Sequence, residues 1–166
     1  MNSTIPTFAF TTKSSGGLRN RLANQALVTY GDKTISVLAL WDTGATRTCI
    51  SNDVVSQLSL VPTGKKNIRT PSGSSQVNTY LIDITLPNNL NIANVEVCDS
   101  EIGGQGTGML IGMDIITTGD FSVSNFKNNT VFSFRVPSSK ETDYVAEIRL
   151  KNLVGTHGTG KKKKRK

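Results

Sequence analysis

Short runs rich in Val, Ile, Thr and Phe, about ten in all, cross this 166-residue chain, and polar turns separate them. Gln76–Leu86 and Leu90–Val97 alternate apolar and polar residues, which is the pattern of a strand with one buried face. Gln25–Tyr30 and Thr34–Trp41 form a predicted hairpin across residues 31–33, since three residues that include Gly suit such a connection. The spacing predicts an all-β barrel or sandwich.

Two short segments fit a helix better than a strand. Residues 53–60 have mixed periodicity and follow Ser51 and Asn52, either of which suits an N-cap. Residues 114–118 predict a second short helix, which ends at Gly119. Helices are therefore a minor part of the predicted fold.

The chain length fits one domain with short extensions. We expect an N-terminal strand and loop at residues 1–24, a folded domain at 25–150, and a basic, disordered tail at 151–166. Residues 144–150 fit a last strand or a short helix equally well.

The net charge of +7 is concentrated at one end of the sequence. Residues 161–166 are all basic and contribute +6, which leaves +1 for residues 1–160. A nucleic-acid-binding domain spreads positive charge over its body, so that class is disfavoured. We expect only non-specific contact of the tail with nucleic acid or anionic surfaces.

The cysteines and the hydropathy profile suggest the compartment. Cys49 and Cys98 have no metal-like spacing with His157, and we expect two buried free thiols in a reducing environment. An N-terminal h-region and a run of about 18 apolar residues are both absent from the sequence. We therefore expect a soluble, cytoplasmic protein.

One tripeptide carries recognisable chemistry. Asp42, Thr43 and Gly44 come directly after the apolar run Ile35–Trp41, so a predicted strand delivers a carboxylate into a tight turn. About seventy residues later, Met109–Ile116 is a second buried run, interrupted by a glycine. The order and distance of the two runs suggest two parts of one site.

Paired aspartates can hydrolyse peptide bonds without a covalent intermediate. Two carboxylates about 3 Å apart cannot both ionise, so they share one proton. The ionised partner deprotonates a bound water, and the protonated partner polarises the scissile carbonyl. Asp-Thr-Gly occurs once in the chain, so this chemistry requires a second copy.

Three segments resemble the retropepsin-like aspartic proteases, the retroviral-type family that also has bacterial and cellular members. ALWDTGAT at 39–46 resembles the active-site strand and loop, and MLIGMDII at 109–116 resembles the apolar–apolar–Gly motif and its short helix. Residues 68–86 resemble the flap hairpin, with Gly73 at or near its tip. The resemblance covers most of the chain, from Ala26 to Val136.

This resemblance implies a single-domain acid-protease fold, a closed β-barrel with one short helix after the second motif. It implies a homodimeric aspartic endopeptidase that acts on a peptide or protein substrate and needs no metal or organic cofactor. The implied site residues are Asp42, Thr43 and Gly44 for catalysis, Ala45, Thr46, Arg47, Ser72, Gly73 and Ser74 for substrate binding, and Leu110, Ile111 and Gly112 for support.

The chain departs from the viral pattern at two places. Viral members carry an Asp two residues after the Gly of the tripeptide and an Arg directly after the second Gly, and these form an ion pair. Thr46 and Met113 stand at those places here. Both charges are missing together, so no lone buried charge remains, but dimer contacts must come from elsewhere. Residues 7–10 and 132–136 are apolar, β-prone candidates for the dimer sheet.

Other interpretations concern single residues and the whole chain. Asp114 fits a helix cap or a first-turn residue better than a second catalytic acid. Trp41 fits the core better than a substrate platform. For the whole chain, the main alternative is a catalytically silent retropepsin-like module for dimerisation or peptide binding.

Overall fold

The computed structural model describes residues 6–70, 73–102 and 104–157. Ser72 and the basic run at 161–166 lie outside the described residues.

The described residues form ten strands and three α-helices. The strands are β1 (Phe8–Lys13), β2 (Ala23–Tyr30), β3 (Lys33–Trp41), β4 (Cys49–Ser51), β5 (Gly64–Thr70), β6 (Gly73–Leu86), β7 (Leu90–Ser100), β8 (Thr107–Ile111), β9 (Asp120–Ser124) and β10 (Val131–Val136). The helices are α1 (Asn52–Leu58), α2 (Met113–Ile116) and α3 (Tyr144–His157).

Six strands close into a barrel. They follow the order β2–β3–β8–β4–β7–β6, and β2 also pairs with β6, which closes the sheet. The inward side chains of Val28, Ile84, Val97 and Met109 are fully buried. The predicted all-β, closed-barrel fold is confirmed, with α2 following the second motif as expected.

Strand β8 brings the second motif beside the first. It pairs in parallel with β3, where Trp41 lies opposite Ile111, and antiparallel with β4, where Cys49 lies opposite Leu110. A glycine is needed at residue 108, because a Cβ there would lie only 2.8 Å from the Cβ of Val37. Two segments far apart in sequence thus become neighbours in one sheet.

The predicted hairpins form with small differences in their turns. The turn between β2 and β3 contains two residues, Gly31 and Asp32, rather than the three expected, and Gly31 adopts a φ of +59°. The β5–β6 hairpin extends to the pair Thr70–Gly73. Strand β6 therefore begins three residues earlier than its alternating pattern predicted.

A second, three-stranded sheet has the order β1–β10–β9. The two segments expected as candidates for a dimer sheet, 7–10 and 132–136, lie on β1 and β10, which pair with each other within one chain, from Phe8 opposite Val136 to Lys13 opposite Val131. Strand β10 has β9 on its other side. Both of its edges are thus occupied by the same chain.

Aromatic side chains join this sheet to the barrel. Trp41 stacks on Phe121 with ring centroids 5.2 Å apart and packs against Phe134 at 5.0 Å. Its indole N–H donates to Asn24 Oδ1 at 2.6 Å, which satisfies its buried polar atom. The interpretation of Trp41 as a core residue is confirmed.

The described residues form three α-helices, whereas the family resemblance implied only one. In α1, the Ser51 hydroxyl caps the Val54 N–H, and Ser59 ends the helix in a left-handed conformation with a φ of 54°. The segment 144–150 is helical and continues as α3 past the expected boundary at 150. Among the described residues, no helix is long and apolar enough to cross a membrane.

We expect Phe134→Ala to destabilise the fold by about 3–5 kcal/mol, because the fully buried ring packs against Trp41 and its loss leaves a cavity. Phe126→Ala is the matched control, since that ring is 75% exposed and should cost less than about 0.5 kcal/mol. Urea denaturation at one fixed protein concentration measures both. Equal losses would contradict the assigned core.

Candidate active site

The Asp42 carboxylate is held at the end of β3 by its own turn. The Asp42 N–H donates to Ile111 O at 2.9 Å, so the residue is anchored to β8. The Gly44 N–H donates to Asp42 Oδ1 at 2.8 Å, and the Ala45 N–H donates to Asp42 O at 3.2 Å. Asp42 is half-buried, so one face of its carboxylate remains open to a ligand.

The predicted support residues lie against this turn. Ile111 is fully buried and Leu110 is half-buried on β8. The Met113 N–H donates to Ala45 O at 2.8 Å, which joins the start of α2 to the turn. A Cβ on Gly112 would lie 2.5 Å from the carbonyl carbon of Arg47, so the two backbones approach too closely for any side chain.

A buried threonine connects the two segments further, and the sequence patterns did not identify it. The Thr48 hydroxyl donates to Asp114 Oδ1 at 2.8 Å and accepts from the Gly112 N–H at 3.1 Å. The Thr48 N–H donates to Asp114 Oδ2 at 2.9 Å. Asp114 is thus a first-turn residue of α2 committed to structural bonds, while the N-cap position belongs to Gly112.

The remaining predicted residues of the turn differ in exposure. Ala45 is half-buried, whereas Thr43, Thr46 and Arg47 are exposed. Within the described part of the chain, the Thr43 hydroxyl makes no hydrogen bond. Its position leaves that hydroxyl available for a contact outside the chain.

The predicted flap residues lie on a different element from the turn. Gly73 and Ser74 are exposed at the start of β6, where they pair with Thr70 and Arg69 of β5. Gly73 has a φ of +129°, a conformation that strongly favours glycine. Ser72 falls outside the described residues.

Arg47 belongs to a charge cluster that spans three elements. Its guanidinium lies 3.4 Å from Glu96 Oε1 on β7, and the Lys66 ammonium on β5 contacts the same oxygen. The hydrogen bond from Lys66 holds the pKa of Glu96 below its usual range, and the charge of Arg47 adds to this. Two cations therefore share one carboxylate at an exposed position.

Two thiols lie near the turn, but neither is suited to nucleophilic catalysis. Cys49 and Cys98 are free and lie opposite each other on β4 and β7. Burial raises the pKa of Cys49 to about 11, with nearby Cys98, Asp114 and Asp42 adding to the shift. Burial also raises the pKa of Cys98. Both groups stay protonated near neutral pH, where a thiolate would be needed.

The described segments, 6–70, 73–102 and 104–157, hold no group of three or more His, Cys, Asp or Glu side chains that could bind a metal ion.

Comparison with known proteins identifies the family. Residues 28–118, more than half of the chain, match the sequence profile of the family described as "gag-polyprotein putative aspartyl protease". The chain belongs to this family. The predicted retropepsin-like relationship is thereby confirmed, whereas no curated protein sequence matches the chain significantly.

One solved structure supports the fold, and two others show a weaker similarity. A crystal structure of a retropepsin-like aspartic protease from Rickettsia conorii superposes with a TM-score of 0.52 at 13% identity, covering 81% of this chain and 98% of that one. The simian foamy virus protease gives 0.43 at 21% identity, over 57% and 91% of the respective chains. The EIAV protease gives 0.44 at 20% identity, over 60% and 88%.

We expect Thr48→Val to destabilise the protein by about 1–3 kcal/mol, because the Gly112 N–H loses its buried acceptor and the Asp114 carboxylate loses a donor. Thr46→Val, at an exposed position, should change stability by less than about 0.5 kcal/mol. Thermal or urea denaturation distinguishes them. A neutral Thr48→Val would show that this residue does not join the two segments.

Proposed function

We propose that the protein is a homodimeric aspartic endopeptidase in which Asp42 of each copy supplies one of two catalytic carboxylates. The observation that carries this proposal is the Asp42 carboxylate itself, oriented by the Gly44 N–H in a turn bonded to β8. A carboxylate held in this way is preorganised, so little reorganisation is needed when a substrate binds.

In the proposed reaction, the two Asp42 carboxylates share one proton and hold a water between them. The ionised carboxylate removes a proton from the water as it attacks the scissile carbonyl, and the protonated one donates to the carbonyl oxygen. The tetrahedral species then collapses when the amine leaves with a proton. Atoms balance with one water consumed per peptide bond.

Two features of the chain support a second copy. The tripeptide occurs once in the sequence, so one chain holds only half of the proposed dyad. The exposed Thr43 hydroxyl, without a partner among the described residues, is positioned to bond the backbone of the other copy across a two-fold axis. An isologous arrangement of this kind brings the same residue from both copies to the axis.

The silent-module alternative uses the same fold without hydrolysis. It assigns no role to the Gly44–Asp42 hydrogen bond, whereas catalysis needs that orientation. We therefore prefer the enzyme, and the Asp42 substitution below separates the two.

We further propose that Ala45, Thr46, Arg47 and the flap residues 72–74 contact the substrate, which lies extended and pairs with the flap as an added strand. Arg47 and Lys66 together carry two positive charges against the single negative charge of Glu96. The excess charge favours a substrate with an acidic side chain near Arg47.

Asp42→Asn should reduce peptide cleavage by about 10²–10⁴-fold or more, since the amide cannot accept or share the proton. Cleavage should be strongest at acidic pH and blocked by pepstatin-like inhibitors. Asp32→Asn is the matched control, as Asp32 lies in the exposed β2–β3 turn. Circular dichroism should show an unchanged fold in both variants. Undiminished cleavage by purified Asp42→Asn protein would refute the mechanism.

Dimer dependence is testable by mixing subunits. Excess Asp42→Asn protein should lower wild-type activity toward zero, because mixed dimers hold only one Asp42 carboxylate. Serum albumin at the same concentration is the control. Sedimentation should show twice the monomer mass at the concentrations that give activity. A strictly monomeric, fully active protein would exclude the dimer.

Arg47→Gln should lower kcat/KM for peptides containing Glu by up to about fivefold, the scale of an exposed charge pair. Matched peptides with Gln in place of Glu should change by less than about twofold. Lys65→Gln controls for general charge, since Lys65 is an exposed neighbour on β5. A set of peptides with Glu at each successive position identifies the position at which cleavage depends on Arg47. Equal effects of both variants would rule out a specific role for Arg47.

A further inference from the structure

We propose that a cavity beside β1 is a binding site for an oxyanion, either a phosphate or a carboxylate group. The cavity has a volume of about 330 Å³ and lies between the end of β1, the segment 14–22 and the start of β10. This site is independent of the proposed peptidase activity.

The lining of the cavity is positive. Lys13, Arg19 and Arg21 contribute to its wall, together with hydroxyls, and no Asp or Glu of the described residues does. The first acidic residue of the whole sequence is Asp32, so the segment that forms the wall has no anion of its own. The charge of residues 1–160 is only +1, which makes three cations around one cavity a marked local excess.

The wall is held rigidly by one buried residue. Thr130, 3% exposed, accepts the Arg19 N–H at 2.9 Å through its hydroxyl, and its carbonyl accepts the Ser14 N–H at 2.8 Å. The Ser14 hydroxyl in turn accepts the Thr130 N–H at 3.1 Å and donates to Gly17 O at 2.8 Å. The backbone that carries Arg19 is thus fixed before any ligand arrives, which lowers the entropic cost of binding.

The Arg19 side chain retains donor capacity. A guanidinium has five N–H donors in a planar fork that matches two oxygens of a carboxylate or phosphate. Arg19 spends one of them in a long bond of 3.3 Å to Ser15 Oγ. Arg21 directs one N–H to Thr107 Oγ1 at 2.8 Å, which fixes the orientation of its fork. Oxygens of an anion can therefore be met by charge-assisted bonds.

The Trp41 side chain lies close to the cavity, so its fluorescence can report binding there. The carbonyl of Leu22, which lines the cavity, accepts the backbone N–H of Trp41 at 2.9 Å, and Phe132 in the wall packs against the Trp41 ring. Trp41 is the sole tryptophan of the chain. An anion in the cavity should perturb both the amides of residues 13–21 and the fluorescence of Trp41.

The experiment is a titration of the full ¹⁵N-labelled chain with sodium phosphate, against sodium chloride at equal ionic strength. A second arm uses glutarate as the carboxylate source. We expect saturable shifts centred on the amides of residues 13–21 and 130 in at least one arm. Phosphate alone, or glutarate alone, identifies which oxyanion the site takes. Absence of saturation in both arms overturns the proposal.

Arg19→Gln should weaken binding by about tenfold or more, as expected for the loss of a charge-assisted bond. Its backbone bond to Thr130 does not depend on the side chain, so the spectrum outside the segment should be unchanged. Lys13→Gln provides an independent second variant. Lys33→Gln is the control, because the Lys33 ammonium donates to Ser59 Oγ and Lys33 is not among the residues that line the cavity. If Lys33→Gln weakens anion binding equally, the effect comes from the net charge of the protein, and the proposed site is refuted.

Discussion

The insertion of β8 beside β3 is the constraint on which the rest of the structure depends. The hydrogen bond from the Asp42 N–H to Ile111 O joins the two motifs where both strands end. The pairing links β2 and β3 to the other four strands of the barrel, buries Met109 and Ile111, and fixes the position of the Asp42 turn. The pairing of β3 with β8 therefore determines both the order of the strands and the position of the candidate site.

The close approach of the two segments also limits the space for side chains between them. The backbone at Gly112 passes so near Arg47 and Thr48 that there is no room for a Cβ. The Thr48 hydroxyl uses the same proximity to bridge Gly112 and Asp114. One contact thus packs two backbone segments closely and also gives the buried Thr48 hydroxyl its hydrogen-bond partners.

Features with a local physical signature were predictable from the sequence. Alternating residues in β6 and β7 reflect one buried face, and the Asp-Thr-Gly turn follows its strand directly, so both were identified without coordinates. The Ser51 cap was foreseen, though only as one of two choices, because both Ser51 and Asn52 can accept the same N–H.

Features that depend on residues distant in sequence were not predictable. In the sequence, Thr48 is like any other polar residue of a turn. Only the folded structure brings it next to Asp114, 66 positions away, where it joins the two segments. The shared carboxylate of Glu96 likewise depends on three elements meeting. The intrachain pairing of β1 with β10 could not be distinguished from pairing between chains, because either arrangement satisfies the same backbone groups.

The position of β10 between β1 and β9 has a consequence for how the proposed enzyme is switched on. In the three-stranded sheet of one copy, Phe10, Phe132 and Phe134 are buried without any contribution from a second chain. Under the homodimeric mechanism proposed above, a single folded copy is an inactive half, because it holds one Asp42 carboxylate. Activity then begins when the concentration of subunits is high enough for two of them to associate.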